Sequence, residues 1–124
     1  MDDAGQTRKA QVRFESIEPI LRVQNMQASL HFYVDLLGFE NAGWGNDDFT
    51  HVSRDGQGIY LSRGDQGQGR AWVWVGVEDV EKLHAEYKAR EIKIVLPPTN
   101  YPWALEMRIE DPDGNVLRLG SDPI

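Results

Sequence analysis

The chain has 124 residues, enough for one domain with its own core, and its 13 Lys and Arg against 20 Asp and Glu give a net charge of −7. This charge disfavours nucleic acid and anionic membranes as partners and favours a cationic small molecule. There is no cysteine for disulfides or thiolate metal sites, and no signal peptide or apolar span of about 18 residues is predicted, so we expect a cytoplasmic protein.

The polar N-terminus differs from the rest of the chain. Residues 1–13 offer almost nothing to bury, which predicts a flexible arm or, alternatively, an arm that crosses to a partner subunit. We therefore expect a single folded domain over residues 14–124.

The first half of this domain reads as a strand, a helix and two further strands. Residues Ile20–Val23 form the first strand, and Asn25 is a good helix N-cap. Alternating strands follow at Phe49–Ser53 and Ile59–Arg63, joined by a tight turn. Between the first strand and these two, apolar residues recur at helical spacing, and Gly38 ends this helix. The apolar residues are Met26, Leu30, Tyr33 and Leu37.

The second half repeats this plan. Residues Trp72–Val77 form a strand and Asp79 caps the next helix, at an offset of 54 positions from the first copy. A second similarity links the turn and strand at Asp55–Leu61 with those at Asp113–Leu119. The other predicted strands are Lys93–Leu96, which Pro97 and Pro98 close, and Leu105–Glu110.

The second half reads as a β-α-β-β-β module, and because the first half repeats its plan we assign both halves to this module, at about residues 17–64 and 70–121, with a glycine-rich loop between them. Two copies are too few for a solenoid and indicate two modules that face each other. We expect an α+β fold in which the tandem modules form a curved mixed sheet around a cleft.

Two sequence motifs point to a family. Residues 32–39 read FYVDLLGF at the end of the first helix, and residues 111–115 read DPDGN at the last turn. Together and in this order, they make the chain resemble the vicinal oxygen chelate superfamily of glyoxalase I, fosfomycin-resistance enzymes, extradiol dioxygenases and bleomycin-resistance proteins. The resemblance implies paired βαβββ modules that a chain this short completes as a homodimer.

The resemblance also implies positions for the ligands of a divalent metal, on the first and fourth strands of each module. These positions hold, in chain order, Glu18, Tyr60, Trp72 and Arg118. Neither an indole nor a guanidinium binds a metal ion, and a phenol must first lose its proton. We therefore expect neither a metal nor another cofactor.

The histidines leave one alternative open. His31 and His84 are expected to be solvated, because they lie off the apolar stripes of the helices. The strand parity of His51 permits it to face the cavity, but we expect no obvious partner for it there. A metal site would have to combine His51 with Glu18 and Glu106.

Aromatic residues occupy the positions that face the expected cavity. Trp72 and Trp74 share one face of their strand, while Val73 and Val75 supply the apolar face. Indole rings suit flat aromatic or cationic ligands, although any single tryptophan is equally an ordinary core residue. The expected ligand-binding residues are Trp44, Tyr60, Trp72, Trp74, Trp103, Glu106 and Arg118.

The missing metal ligands, together with Arg118, resemble the bleomycin-resistance branch of the superfamily. We therefore predict a homodimer that binds and sequesters a small cationic aromatic molecule of the bleomycin type in a tryptophan-lined groove. The first alternative is a metal-free lyase or isomerase in which Glu106 or Glu18, its pKa raised by burial, is the general base and Arg118 or Arg108 stabilises an oxyanion. The second alternative is a metal-dependent glyoxalase-like enzyme. It also stays open that Glu18, Glu106, Arg108 and Arg118 form ion pairs with a purely structural role.

Overall fold

The computed structural model describes residues 12–67 and 69–124, which form two modules of the same architecture. The first contains β1 (Ile20–Arg22), α1 (Met26–Leu30), a π-helical segment (His31–Leu36), β2 (Glu40–Asn41), β3 (Phe49–Arg54) and β4 (Gln57–Ser62). The second contains β5 (Trp72–Gly76), α2 (Val80–Ala89), β6 (Ile94–Asn100), β7 (Leu105–Glu110) and β8 (Val116–Ser121). The arm predicted for residues 1–13 lies almost entirely outside the described residues.

Each module folds into a four-stranded mixed sheet, in the orders β1-β4-β3-β2 and β5-β8-β7-β6. In both sheets the first strand pairs in parallel with the last, and the other neighbours pair antiparallel. The predicted α+β fold with two βαβββ modules is therefore confirmed. No helix in the described part of the chain is long and apolar enough to cross a membrane.

The first helix departs from the prediction in its second half. Asn25 caps its start as predicted, with Oδ1 accepting the backbone N–H three residues later at 3.0 Å. The helix then widens into π-helical turns, in which the N–H of Leu37 donates to the carbonyl of Phe32, five residues earlier. The wider turn buries the consecutive Phe32 and Tyr33 together, which a regular helical stripe does not predict.

The strand β6 is longer than predicted. It includes Pro97 and Pro98, where the sequence indicated an end at Leu96. Prolines have no N–H to donate and are tolerated here because β6 is the outer strand of its sheet, paired irregularly with β7. The short strand β2, which was not predicted, is the outer strand of the other sheet.

One face of each sheet packs into a core shared with the helices. Strand residues in this core occupy alternate positions and include Leu21, Val52, Ile59, Leu61, Met107, Ile109, Leu117 and Leu119. Tyr33, Val80 and Tyr87 join them from the helices. On the opposite face of each sheet the side chains are less buried, so each sheet keeps a second, open face; these side chains include Phe49, His51, Tyr60, Trp72, Trp74 and Arg118.

The DPDGN motif forms the turn before β8 and joins the two modules. Asp111 Oδ1 accepts the backbone N–H groups of Asp113 and Asn115, both at 2.9 Å. Asp113 in turn accepts the backbone N–H of Gln24 at 3.0 Å, and the Asn115 amide donates to the carbonyl of Arg22 at 3.4 Å. The turn is thereby bonded to the end of β1 in the other module.

Candidate ligand-binding site

The open face of the second sheet carries two tryptophans from β5. Trp72 is 60% exposed and Trp74 is 50% exposed, while Val73 and Val75 pack against the core. The predicted alternation along this strand is confirmed. We call this surface the tryptophan face and define it by Trp72, Trp74, Trp103, Glu106, Arg108 and Arg118.

Trp74 lies against the neighbouring strand because Gly120 has no side chain. A Cβ atom at Gly120 would overlap the Cη2 atom of the indole. The guanidinium carbon of Arg118 lies 5.2 Å from the ring centroid of Trp74, and that of Arg108 lies 5.3 Å from the ring centroid of Trp72. Each indole is therefore paired with one arginine in a cation–π contact.

Glu106 is fully buried beneath these arginines. Arg118 donates to its carboxylate from Nε at 2.7 Å and from Nη2 at 2.9 Å, and Arg108 donates from Nε at 2.8 Å. The indole N–H of Trp103 adds a hydrogen bond of 3.2 Å. Both carboxylate oxygens therefore have donors, which a buried carboxylate requires.

These donors keep Glu106 ionised. The hydrogen bonds from Arg118 are the main cause that lowers the pKa of Glu106 from 4.5 to about 2, burial opposes them, and Arg108 and Trp103 lower it further. The expectation that burial among tryptophans raises this pKa is therefore wrong, because two guanidiniums outweigh the burial. Glu106 is an ion-pair partner and does not fit the role of a general base.

Trp103 extends the tryptophan face beyond the strands. Its side chain is 60% exposed and stacks on Tyr101, with ring centroids 4.7 Å apart and ring planes within 5°. Tyr101 is not among the ligand-binding residues predicted from the sequence, although its position two residues before Trp103, across a proline, is a visible signal. The stacked pair places a second flat ring beside the face.

Trp44 and Tyr60 lie in the other module, Trp44 in the turn between β2 and β3 and Tyr60 on β4. Trp44 stacks on Phe49 at a centroid distance of 6.1 Å, and Phe49 stacks on Tyr60 at 5.4 Å. The ring of His51 follows at 4.6 Å from that of Tyr60. We call these four residues the aromatic row. The expected ligand-binding residues are thus divided between two sheets, and Phe49, which shares strand parity with His51, was missed.

His51 has a partner that is not predicted from the sequence. Its Nε2 lies 2.6 Å from Oε1 of Glu18, and both side chains are partly buried. Glu18 precedes β1, but the chain continues beside β4 there, since Tyr60 donates its backbone N–H to the carbonyl of Pro19. Gly58 makes room for the pair, because a Cβ atom at this position would overlap the imidazole of His51.

The residues that the resemblance implies as metal ligands do not fit a metal ion. In the described ranges, no three His, Asp or Glu side chains come together in a group that could hold one. Glu18 and His51 meet, but Glu106 lies on the other sheet with both oxygens bonded to other side chains. The alternative site of Glu18, His51 and Glu106 is therefore not assembled, and the guanidinium of Arg118 occupies a further implied position.

A groove of about 630 Å³ does lie between the modules, but away from the expected ligand-binding residues. Its apolar floor includes Leu37, Phe39, Leu117 and Leu119, and none of the seven expected residues lines it. Leu117 and Leu119 flank Arg118 on β8 and therefore face the opposite side of the sheet. The expectation that the tryptophans line a cleft between the modules is wrong for a single chain, in which they form an open face.

Comparison with known proteins identifies the family. The sequence profile of the glyoxalase/bleomycin resistance protein/dioxygenase superfamily matches residues 13–119. The chain belongs to this superfamily. A comparison with curated protein sequences gave no significant match.

Solved structures of this superfamily share the fold. The bleomycin-binding protein of Streptomyces verticillus, solved with copper(II)-bleomycin, is 28% identical, with a TM-score of 0.72 over 89% of this chain and 98% of that one. TnmS3, an antibiotic binding protein from Streptomyces sp. CB03234, is 22% identical, with a TM-score of 0.78 over 94% and 100%. Lactoylglutathione lyase from Agrobacterium tumefaciens is 20% identical, with a TM-score of 0.73 over 88% and 95%. The superfamily fold thus serves both binding proteins and an enzyme.

Proposed function

We propose that this protein binds and sequesters a small aromatic molecule on the tryptophan face, without a metal and without chemical conversion. The observation that carries the proposal is the gathering of Trp72, Trp74 and Trp103, each at least half exposed, beside Arg108 and Arg118. Clustered exposed aromatic rings with a few fixed polar groups are typical of small-molecule and interaction sites.

An antibiotic is the ligand class that we favour. The bleomycin-binding protein and TnmS3 are named for antibiotic binding, which supports a role in resistance or self-protection. The sequence-based expectation of a cationic, bleomycin-type ligand rests on the net charge of the whole chain, −7, and not on the charges of the tryptophan face. A cytoplasmic location stays part of this proposal.

We further propose that the protein acts as a homodimer. The tryptophan face of one chain is open, and a groove requires a second wall. The aromatic row of another copy supplies flat rings of the same kind at Trp44, Phe49 and Tyr60. Analytical ultracentrifugation should give twice the mass of one chain, and a monomer at all concentrations would contradict this assembly.

Titration of the intrinsic tryptophan fluorescence tests the binding proposal. The ligands to titrate are bleomycin and a set of uncharged and charged naphthalenes. At least one of them should quench the fluorescence saturably, at a stoichiometry near one ligand per subunit, and a chelator should not change its affinity. Trp74→Leu should lower the affinity for the ligand that quenches by about tenfold, since one aromatic contact is worth about 1 kcal/mol or more. Phe14→Leu is the matched control, because Phe14 is an exposed ring outside both sheets. If no ligand changes the fluorescence, the proposal is contradicted.

The pair of Glu18 and His51 favours a second candidate function, a metal-free lyase or isomerase. A carboxylate that orients an imidazole is a common arrangement for moving protons. Wild-type protein in D₂O should then speed deuterium exchange beside the carbonyl of acetylnaphthalene, and His51→Gln should abolish the increase. Exchange at the buffer rate would remove this candidate. A stoichiometric metal content after purification would instead favour the metal-dependent glyoxalase-like enzyme.

A further inference from the structure

We propose that the aromatic ligand carries an anionic oxygen group beside its ring, such as a carboxylate, and that Arg108 and Arg118 bind this group. The inference rests on the proposed function, because it names the ligand class of the same tryptophan face. It follows from the local charge of the face and from the donors that its arginines leave unused.

The tryptophan face holds more positive than negative charge. One carboxylate, Glu106, is shared by Arg108 and Arg118, so two positive charges and one negative charge leave +1. Glu110, further along β7, does not supply the missing negative charge, because Lys93 donates to it at 2.6 Å. The residues that define the face therefore carry a net charge of +1, although the whole chain carries −7.

The two arginines keep hydrogen-bond donors for a ligand. Glu106 occupies Nε of both arginines and Nη2 of Arg118. Within the part of the chain that the structure describes, Nη1 and Nη2 of Arg108 and Nη1 of Arg118 make no hydrogen bond. Their side chains are 28% and 31% exposed, so a ligand can reach them. Guanidinium N–H groups are well matched to the two oxygens of a carboxylate.

Glu106 also fixes both guanidiniums before a ligand arrives. Part of the entropy lost on ordering these long side chains is therefore already lost in the free protein. The guanidiniums lie 5.3 Å and 5.2 Å from the ring centroids of Trp72 and Trp74. A ligand that contacts either indole therefore lies near a guanidinium, and an anionic substituent on it can accept the free N–H groups.

A matched series of naphthalene ligands tests the inference on the wild-type protein. Naphthoate, naphthamide and naphthylmethylammonium share one ring and differ in charge, and naphthyl phosphate and naphthalenesulfonate are the other anions. Calorimetry should give a dissociation constant about tenfold lower for naphthoate than for naphthamide, or about 1.4 kcal/mol, as expected for a charge-assisted hydrogen bond. Salt should weaken naphthoate more than naphthamide. The order of affinity among the three anionic ligands shows whether the site prefers a carboxylate, a phosphate or a sulfonate.

Charge-removing variants locate the preference. Arg118→Gln should bind naphthoate no better than naphthamide, whereas Arg63→Gln should keep the preference, because Arg63 pairs with Asp48 in an exposed loop. Arg118→Lys keeps the positive charge, and it replaces Arg118→Gln in this measurement if Arg118→Gln does not fold.

The ligand series separates failure of this inference from failure of the proposed function. Equal binding of naphthoate and naphthamide, or tighter binding of the ammonium compound, overturns the anionic ligand while the aromatic site stands. If neither these ligands nor bleomycin bind, both the site and the anionic ligand are overturned.

Discussion

Tyr33 donates a hydrogen bond of 2.8 Å to Oδ2 of Asp111, although the two residues are 78 positions apart in the chain. Both are buried, and the same Asp111 oxygen accepts the side-chain amide of Asn115 at 2.9 Å. Burial and the neighbouring Asp111 carboxylate raise the pKa of the Tyr33 phenol. The FYVDLLGF and DPDGN motifs therefore contact each other, and this contact joins the two modules.

Tyr33→Phe should lower the free energy of unfolding by about 1–3 kcal/mol, because the buried Asp111 carboxylate loses one of its donors. Urea unfolding followed by tryptophan fluorescence measures the change. Tyr101→Phe is the matched control and should stay within about 0.5 kcal/mol, since the Tyr101 hydroxyl makes no hydrogen bond to the described residues. Equal effects of the two variants would mean that the link between the modules contributes little to stability.

Much of the fold was predictable because caps, hydrophobic periodicity and the internal repeat agree with one another. Asn25 and Asp79 cap their helices as predicted. The π-helical segment was not predictable, because it depends on which carbonyl each N–H selects. The sequence predicts that Pro97 and Pro98 end a strand, and only the position of β6 at the sheet edge explains why they do not.

The lowered pKa of Glu106 predicts how stability depends on pH. Its value of about 2 in the folded protein lies below the ordinary 4.5, so folding favours the ionised form. The stabilisation is therefore fully present above about pH 4.5 and is lost as the pH falls toward 2. Other carboxyl groups titrate in the same range, so a variant is needed to isolate this contribution.

Glu106→Gln provides that comparison. Removing the carboxylate should lower the free energy of unfolding by about 3 kcal/mol near neutral pH, because Arg108 and Arg118 lose their shared partner. The difference between wild type and variant should shrink as the pH is lowered from about 5 to 2 in urea unfolding experiments. A difference that stays constant across this range would contradict the ion pairing of Glu106.

The candidate site was only partly predictable. Strand alternation placed Trp72 and Trp74 on one open face. The environment of Glu106 depends instead on the register between β7 and β8, which sets Arg108 opposite Arg118 and cannot be read from one sequence. Likewise, Glu18 meets His51 because the chain already runs beside β4 before β1 begins.

Gly58→Ala should disturb the pair of Glu18 and His51. The added methyl group would overlap the His51 imidazole, and the resulting overpacking should cost about 1–3 kcal/mol of stability. Gly64→Ala adds the same methyl group at ordinary contact distance, 3.7 Å from the Ser62 hydroxyl, and should be nearly neutral. The His51 ring signals in NMR spectra should shift in the first variant alone, and unchanged signals there would show that the pair does not need Gly58.

Gly120→Ala tests whether ligand binding depends on the position of the Trp74 indole, because it moves the ring without replacing it. The new methyl group would overlap the Trp74 ring and lift it off the sheet, without removing any aromatic or charged side chain. Ligand affinity should fall about tenfold, as it would if the ring were lost, and the Trp74 fluorescence should change. Gly76 is the cross-strand partner of Gly120, and a Cβ atom there would come no nearer to Trp74 than 3.9 Å, so Gly76→Ala is the control. If both variants bind ligand as the wild type does, the ligand does not use the Trp74 indole in the place where Gly120 holds it.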